Sequence, residues 1–515
     1  MDPAALERLY ITGDYSSLLE KIEGLAYDQP STELDDIEKA ICVSYHSRAL
    51  IRLGKVNEAE KLLNRLMKSD LNDTFSISSL LYHTSIINLQ NTQGNSTEAL
   101  KNGLRVETLL VQKEHELSEY SLVLSFWSAF LYFLIGVAYF YEFKNDLARK
   151  YFQKSLDANQ TNLWVKAKCL YYMAFLEQEK GNISEFFAIL EKSLVIFQSI
   201  DARQGTAWIM AWQGQFFLQK GDFNKAKRKF SEALELFGSI SDSQGLNLVN
   251  SLIGLMFYQQ GKLIKAEQIL EEAFDSSIKI GNPMILSYCI IPLLLLYIES
   301  GNRSKAQKRI FESQKLTKNS NSNRVKTHAL IAEAIFLKSS SRFSDKAQAQ
   351  RILLELLNDK DGVHGLYVWL TSDKTFSFLV IFHLAELYLD EFRLSEDNMI
   401  LTEVRQLIDN YIKSQTDQKF SHELVELSLL KAKLLIIEGK IEKALVILEE
   451  TKQDANINNF HRLEEKVSFE IKQINKEFKK WDAALKNISV IDRIEKVHLE
   501  EYIKAAQKLV FEYNI

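Results

Sequence analysis

The residue types that carry catalytic chemistry are present in this sequence, but they are not grouped in catalytic patterns. The nine histidines are scattered, with no pair four residues apart and no HExxH motif, so a helical zinc-hydrolase site is not expected. The glycines stand singly instead of clustering as GxxxxGK or GxGxxG, and no GxSxG elbow is present. We therefore expect a protein that is not an enzyme and that carries no metal and no cofactor.

The three cysteines, Cys42, Cys169 and Cys289, lie far apart and within apolar helical sequence. Neither a disulfide framework nor a CxxC metal pair can be written from them, so buried thiols are expected. Free thiols fit a reducing compartment. The segment from Met1 to Tyr10 lacks the basic flank and apolar core of a secretory signal. We expect a cytoplasmic protein.

The charge balance gives no reason to expect nucleic acid as a partner. The chain has 63 basic and 68 acidic residues, a net charge of −5, whereas nucleic-acid surfaces begin with a basic field. One short basic cluster is typical of a solvated helix face rather than a phosphate site. It consists of Lys472, Lys476, Lys479 and Lys480.

A repeat of about 40 residues organises the chain. A turn-forming residue followed five positions later by alanine recurs, as in Gly54 with Ala59 and Gly221 with Ala226. Glycine adopts the left-handed conformation at a helix C-cap without steric cost, so each such glycine predicts the end of a helix. The predicted turns lie at positions 13, 54, 94, 143, 181, 221, 261, 301, 341, near 391, 439 and 479.

The residues around these turns resemble the tetratricopeptide repeat, a hairpin of two antiparallel helices. One copy consists of Gly214, Phe217, Gly221, Phe223, Ala226, Phe230 and Ala233. Its length is similar to that of the long repeats in bacterial transcription activators, peptide sensors and kinesin light chains. A HEAT-type solenoid shares the length but does not explain the glycine and alanine five residues apart. The resemblance implies an all-α fold, a right-handed α-solenoid, or superhelix, of about twelve such hairpins.

The quality of the repeat divides the chain into four sections. Residues 1–120 hold degenerate hairpins, 121–318 the well-formed array, 319–430 irregular hairpins with loops, and 431–515 further hairpins with a capping helix. The predicted loops are Asn319–Asn323 and Asn358–Asp373, and the capping helix carries an apolar stripe. That stripe consists of Leu499, Ile503, Ala506, Val510 and Tyr513.

Two segments are uncharged over nearly the length of a membrane span. Ser121–Tyr141 has 21 consecutive uncharged residues, and Ile280–Ile298 is similar but contains Pro283 and Pro292. A helix packed between neighbours in a solenoid is also apolar on most sides. Because the repeat pattern runs through the first segment at Gly136, a core helix is the expectation, and membrane insertion is the alternative.

In the family that the repeats resemble, the first helix of each hairpin lines the concave surface and contacts ligands. Chaperone-docking members bind a C-terminal carboxylate there through Lys and Asn side chains, and this sequence offers only Lys168 nearby. Carried over by the resemblance, the groove is apolar and rich in aromatic residues. Its predicted members are Phe133, Val137, Phe140, Tyr171, Tyr172, Phe175, Trp208, Trp212, Gln215, Leu252, Leu255, Tyr258, Tyr288 and Ile291.

The sequence therefore predicts a non-catalytic scaffold or adaptor that binds a protein or peptide partner in this groove. Two other functions stay open: a module that senses an effector or peptide by changing the pitch of its solenoid, and a membrane-tethered adaptor. Self-association is open as well. A tight superhelix, or the C-terminal helix, could instead bury the groove.

Overall fold

The computed structural model describes residues 2–29, 32–67, 75–113, 115–158, 161–180, 182–318, 320–358, 374–395, 397–414, 422–438 and 440–485. These residues form 23 α-helices and one short 3-10 turn, Ser118–Tyr120, and no strand occurs among them. The helices are α1 Pro3–Thr12, α2 Tyr15–Gly24, α3 Asp36–Arg52, α4 Val56–Met67, α5 Ile77–Thr92, α6 Ser96–Lys113, α7 Ser121–Tyr141, α8 Asn145–Ala158, α9 Leu163–Glu179, α10 Ile183–Ser199, α11 Arg203–Gln219, α12 Phe223–Ser239, α13 Ser243–Gln259, α14 Leu263–Ile280, α15 Pro283–Glu299, α16 Arg303–Thr317, α17 Asn323–Lys338, α18 Phe343–Asn358, α19 Lys374–Ser395, α20 Asn398–Ser414, α21 His422–Ile437, α22 Ile441–Ile457 and α23 His461–Leu485.

The helices pack as consecutive hairpins, α1 with α2 through α21 with α22, and α23 follows the last of these eleven pairs. The all-α solenoid predicted from the repeat is confirmed. Seven hairpin turns contain a residue in the left-handed conformation, which ends the first helix and redirects the chain. These residues are Gly13, Gly54, Gly94, Phe143, Gly221, Gly261 and Gly301, with φ between 57° and 85°.

One predicted turn is displaced and another is wrong. The turn predicted near 391 follows Ser395 instead, because Leu384, Tyr388 and Phe392 continue one apolar face of α19 and no glycine ends the helix earlier. Position 479 lies inside α23, a 25-residue helix that contains neither glycine nor proline to stop it. The predicted turns at 181 and 439 and the capping helix from Leu499 to Tyr513 fall outside the described residues, as does most of the loop Asn358–Asp373.

Close approach of the two helices in a hairpin depends on small residues. A Cβ atom at Gly214 would lie 2.5 Å from the ring of Phe230, and one at Gly136 would lie 2.6 Å from the ring of Phe152. Ala226 is fully buried in the same kind of crossing. The aromatic side chain of the second helix therefore occupies the space that a larger residue on the first helix would need.

Helix α7 lies in the array as a core helix. Within the described residues, the segment Ser118–Tyr141 is the one helix that is long and apolar enough to span a membrane, with a mean hydropathy of 2.0. In the fold, 61% of that apolar stretch is buried, and α7 packs against α5, α6, α8 and α9. Helix α15 is apolar for the same reason, with Pro283 in its first turn and Pro292 within it.

The superhelix closes on itself. The turn of the first hairpin, at Gly13, contacts Ile240. The turn of the second, at Gly54, contacts Ser243 and also Ile280, where the seventh hairpin ends. The turn of the third, at Gly94, contacts Ser320. Hairpins one to three thus rest on the loops that follow hairpins six to eight. The sixth hairpin makes the equivalent contact with the loop between α22 and α23. Successive superhelical turns therefore touch each other and enclose the space between them.

Candidate binding cavity

The first helices of the central hairpins surround an internal cavity of about 560 Å³. All fourteen residues predicted for the concave groove lie on its wall. Their role in binding stays a prediction. They are Phe133, Val137 and Phe140 on α7; Tyr171, Tyr172 and Phe175 on α9; Trp208, Trp212 and Gln215 on α11; Leu252, Leu255 and Tyr258 on α13; and Tyr288 and Ile291 on α15.

The fourteen residues divide by exposure into two groups. Six are buried and mainly hold the wall together: Phe133, Val137, Phe140, Leu252, Tyr258 and Ile291. The other eight are half-buried and present side-chain surface to the cavity: Tyr171, Tyr172, Phe175, Trp208, Trp212, Gln215, Leu255 and Tyr288. Surface that a ligand could cover therefore comes mainly from α9 and α11, with α13 and α15 beside them.

Trp212 is the centre of the aromatic wall. Its ring lies 6.4 Å from Trp208, 5.3 Å from Phe175 and 6.0 Å from Tyr288, measured between ring centroids. The indole N–H donates a hydrogen bond to the hydroxyl of Tyr171. Three helices thus hold one indole in place by edge contacts, a stack and a hydrogen bond, which fixes the shape of this part of the wall.

Charged residues from the second half of the chain form another part of the wall, and the sequence analysis did not identify them. Arg462 Nη1 donates to Glu299 Oε1 at 2.5 Å, and its Nη2 donates to Glu426 Oε1 at 3.3 Å. The hydroxyl of Tyr258 also donates to Glu299, at 2.8 Å. Burial raises the pKa of Glu299, but Arg462 and Lys466 outweigh burial and hold that pKa at about 2.

A second charged group adjoins it. The Lys338 ammonium donates to Glu386 and lies 2.9 Å from Nδ1 of His383. Burial raises the pKa of Glu386, yet Lys338 and His383 lower it to about 2. Burial, together with Lys338, lowers the pKa of His383. The group is thus a paired carboxylate and ammonium with an uncharged imidazole at neutral pH.

The part of the wall formed by α3 and α9 is cationic. Arg52 and Lys168 both line the cavity, and Gln244 lies beside them. The Gln244 side chain donates to the carbonyl oxygen of Ile51 at 3.1 Å, across the junction between two superhelical turns. Sequence reasoning noticed Lys168 and missed Arg52, because nothing in the repeat pattern marks α3 as a neighbour of α9.

The cysteines and the acidic and histidine residues give no sign of a reactive centre in the described part of the chain. Cys42, Cys169 and Cys289 are fully buried thiols, and burial raises the pKa of each. Among the residues with described positions, no group of three or more His, Cys, Asp or Glu side chains could hold a metal ion. The side chains that line the cavity are aromatic, amide and charged.

Comparison with known proteins identifies the repeat. Residues 131–162, which contain the end of α7 and all of α8, match the family model described as “Tetratricopeptide repeat”. No curated protein sequence matches the chain.

Several solved structures are similar in fold at low sequence identity. A Rap protein complexed with competence and sporulation factor is 13% identical, with 73% of this chain and 99% of that chain covered and a TM-score of 0.49. Yeast Tom70 is 16% identical, with 84% and 92% covered and a TM-score of 0.39. A human IFIT1 dimer with m7Gppp-AAAA is 14% identical, with 86% and 95% covered and a TM-score of 0.36.

The matched hairpin is one of a series with the same turn geometry and the same small residues at the helix crossings. The solenoid is therefore built from hairpins of the tetratricopeptide-repeat type, and residues 131–162 are the copy that matches the family model.

Proposed function

We propose that this protein is a non-catalytic scaffold that binds a short peptide, or an extended segment of a partner protein, inside its internal cavity. The observation that carries the proposal is the enclosed aromatic wall centred on Trp212. The cavity volume of about 560 Å³ lies within the range of roughly 300–1,000 Å³ found for small-ligand pockets. It suits a short segment better than a folded domain.

Within the described part of the chain, three amide oxygens of the cavity wall lack donors, and a peptide N–H could reach them if their side chains turn towards the cavity. The side-chain oxygens Asn91 Oδ1, Gln215 Oε1 and Gln259 Oε1 belong to wall residues, are buried, and lack hydrogen-bond partners among the described residues. A buried acceptor without a partner costs free energy until a donor reaches it. Peptide N–H groups are such donors. The combination of apolar surface with a few unpaired amide oxygens is typical of sites that orient a peptide.

A sensing role is the second candidate, and Gln244 favours it. This residue lines the cavity and also joins two superhelical turns through its hydrogen bond to the Ile51 carbonyl oxygen. A ligand that moves Gln244 would weaken that junction. Binding would then change the spacing of the superhelical turns, and a second molecule that binds the altered surface would respond to the occupied cavity.

A cytoplasmic location remains part of the proposed function.

The experiment is selection of peptides from a random phage-displayed library on the immobilised wild-type chain, followed by fluorescence anisotropy with a labelled selected peptide. Trp212→Ala removes the central aromatic anchor and should cost about 2 kcal/mol of binding, roughly thirtyfold in affinity. Leu255→Trp should block the cavity without removing wall contacts. Phe311→Ala is the control, because Phe311 lies on α16 and is 59% exposed.

Circular dichroism establishes that each variant is folded. Full-strength binding by folded Trp212→Ala and by Leu255→Trp together would move the site out of the cavity. Equal loss in Phe311→Ala would point to the outer surface instead.

A further inference from the structure

Cationic side chains are concentrated in one part of the cavity wall. Arg52 and Lys168 face the cavity from α3 and α9. Arg48, one helical turn before Arg52, is only 2% exposed. Its guanidinium carbon lies 3.9 Å from the ring centroid of Tyr10, 4.6 Å from Phe130 and 5.1 Å from Trp164. Aromatic faces attract a cation but bring no negative charge to compensate it.

The buried carboxylate whose charge acts on Arg52 and Lys168, that of Asp242, is held by hydrogen bonds within the fold. Asp242 is fully buried at the start of α13, where its Oδ1 accepts from the Gly245 backbone N–H at 2.9 Å. Its Oδ2 accepts from the Gln204 side chain at 2.8 Å. On the other side, Glu7 accepts a hydrogen bond from Asn162. Among the described residues, neither carboxylate forms a close ion pair with Arg48, Arg52 or Lys168, but the charge of Asp242 favours the protonated forms of Arg52 and Lys168.

Burial lowers the pKa of Arg52, but Tyr10 and Asp242 outweigh burial and raise that pKa. The wall cation that its surroundings compensate least is therefore Lys168. Arg48 Nε and Nη1 and Arg52 Nε have no hydrogen-bond partner among the residues that the structure describes. The Lys168 ammonium has one long contact, 3.4 Å to Gln204 Oε1. Charge that is removed from water without a partner is costly, so this part of the wall is complementary to an anion.

Two titrating groups respond to the same positive field. Burial and the neighbouring Arg52 lower the pKa of Lys168 to about 7. Burial raises the pKa of Tyr10, but Arg48 and Arg52 outweigh burial and bring that pKa below its usual range. The pKa values of an acid, Tyr10 on α1, and of a base, Lys168 on α9, are thus both lowered, which is the effect of nearby positive charge.

We propose that Arg52 and Lys168 form an anion-binding subsite that receives an oxyanion, a carboxylate or a phosphate, carried by a ligand whose apolar body lies on the aromatic wall. The inference rests on the proposed cavity function and specifies its ligand. The subsite differs from the carboxylate site of chaperone-docking repeats described above, because α3 and α9 belong to hairpins three apart. The curvature of the superhelix, and not a repeated motif, brings them together.

Isothermal titration calorimetry at constant ionic strength tests this subsite with three small probes. They are 4-phenylbutyrate, the neutral analogue 4-phenylbutanol, and phenyl phosphate. The wild-type chain should bind at least one of the two anions about tenfold or more tightly than the alcohol, as charge-assisted hydrogen bonds predict. The preferred anion identifies the oxyanion.

Two variants and one control isolate the cations. Lys168→Met and Arg52→Gln should each lose the preference for the anion over the alcohol. Lys166→Met should keep it, because Lys166 lies on the same helix and is exposed. The melting temperature of the empty Lys168→Met protein should equal or exceed that of the wild type, since an uncompensated cation has been removed.

Inorganic phosphate tests the subsite without an apolar body: it should raise the melting temperature of the wild type more than that of Lys168→Met. Equal binding of anion and alcohol by the wild type, with no phosphate effect, overturns the subsite. The cavity function is judged separately by the selected peptides, whose binding in that case would leave the proposed function standing.

Discussion

The hydroxyl of Ser320 donates a 2.7 Å hydrogen bond to the carbonyl oxygen of Gly94, 226 residues earlier in the chain. The Ser322 backbone N–H donates to the same oxygen, also at 2.7 Å. Carbonyl groups at the end of a helix lack partners within that helix. Here the loop of a later hairpin supplies the donors. The junction between superhelical turns is thus built from backbone polar groups as well as apolar contacts, and it joins the turns on either side of the cavity.

The contribution of contacts between superhelical turns to the free energy of unfolding can be measured at Gly221. A Cβ atom at this position would lie 1.9 Å from the carbonyl oxygen of Asn458 in the next superhelical turn. We expect Gly221→Ala to lower the free energy of unfolding by about 1–3 kcal/mol more than Gly261→Ala does, as overpacking of a fitted contact predicts. Urea denaturation of both variants gives the difference.

Gly261→Ala is a matched control because its φ of 75° is close to the 73° of Gly221. Both substitutions therefore carry the same backbone strain. At Gly261 the nearest atom to the new Cβ would be 3.8 Å away, so the junction is not disturbed. Equal destabilisation of the two variants would mean that the turns do not touch at Asn458.

The crossing within a hairpin is tested by Ala226→Leu. Ala226 is fully buried between α11 and α12, where a larger side chain must displace its neighbours. The expected loss of stability is about 1–3 kcal/mol. Lys227→Ala changes an exposed residue on the same helix and should leave the melting temperature within a degree or two of the wild type. Identical melting temperatures for the two variants would show that the hairpin register is wrong.

The hairpins could be predicted from sequence because glycine marks the turn between the two helices of most hairpins. Glycine at positions 54, 94, 221 and 261 is required by a positive φ that few other residues tolerate. The loops between hairpins have their own left-handed positions at Asp201, Ser241 and Gly281, again 40 residues apart. That second series was missed, since the three positions share a conformation and not a residue type.

The site was predictable only where it follows the repeat. The aromatic wall comes from equivalent positions on neighbouring first helices, so a helix register is sufficient to place Trp212 beside Tyr171. The cationic subsite depends on curvature. Arg52 and Lys168 lie three hairpins apart, and the small rotation from each hairpin to the next decides whether they face each other. No local sequence pattern encodes the total rotation accumulated over three hairpins.

Acid should weaken the charged part of the wall. Arg462 and Lys466 hold the folded-state pKa of Glu299 at about 2 despite burial, below its ordinary value of 4.5. A depressed carboxyl pKa contributes stability that is complete above pH 4.5 and is lost as the pH falls towards 2. Glu299→Gln should lose part of this acid dependence and should be about 3 kcal/mol less stable at pH 7, because Arg462 and Lys466 both lose this buried carboxylate.

Urea denaturation between pH 2 and 7 checks both parts of that expectation. Glu58→Gln is the control, because Glu58 forms an exposed pair with Lys55 at 3.6 Å and such pairs contribute about 0–1 kcal/mol. A wild-type stability that does not fall between pH 4.5 and 2 more steeply than that of Glu299→Gln would exclude a strong pair with Arg462.

In the protein without ligand, the burial of Lys168 should make the free energy of unfolding depend on pH in the alkaline range. Its folded-state pKa of about 7 lies below the ordinary value of 10.5, through burial and then Arg52, with Arg48 adding to the effect and Asp242 opposing it. Between those two pH values the unfolded chain binds a proton that the folded chain does not. The wild type should therefore gain stability as the pH rises from 7 towards 10.5.

The comparison with Lys168→Met isolates this group. The variant should be more stable than the wild type near pH 7, and its advantage should shrink as the pH rises to 9.5, with urea denaturation as the measurement. An anion bound beside Lys168 should restore the charged amine, so binding of 4-phenylbutyrate near pH 8 should take up protons. Calorimetry in buffers of different ionisation enthalpy detects that uptake. A pH-independent difference between the two proteins, with no proton uptake on binding, would place the Lys168 ammonium in water rather than in the cavity wall.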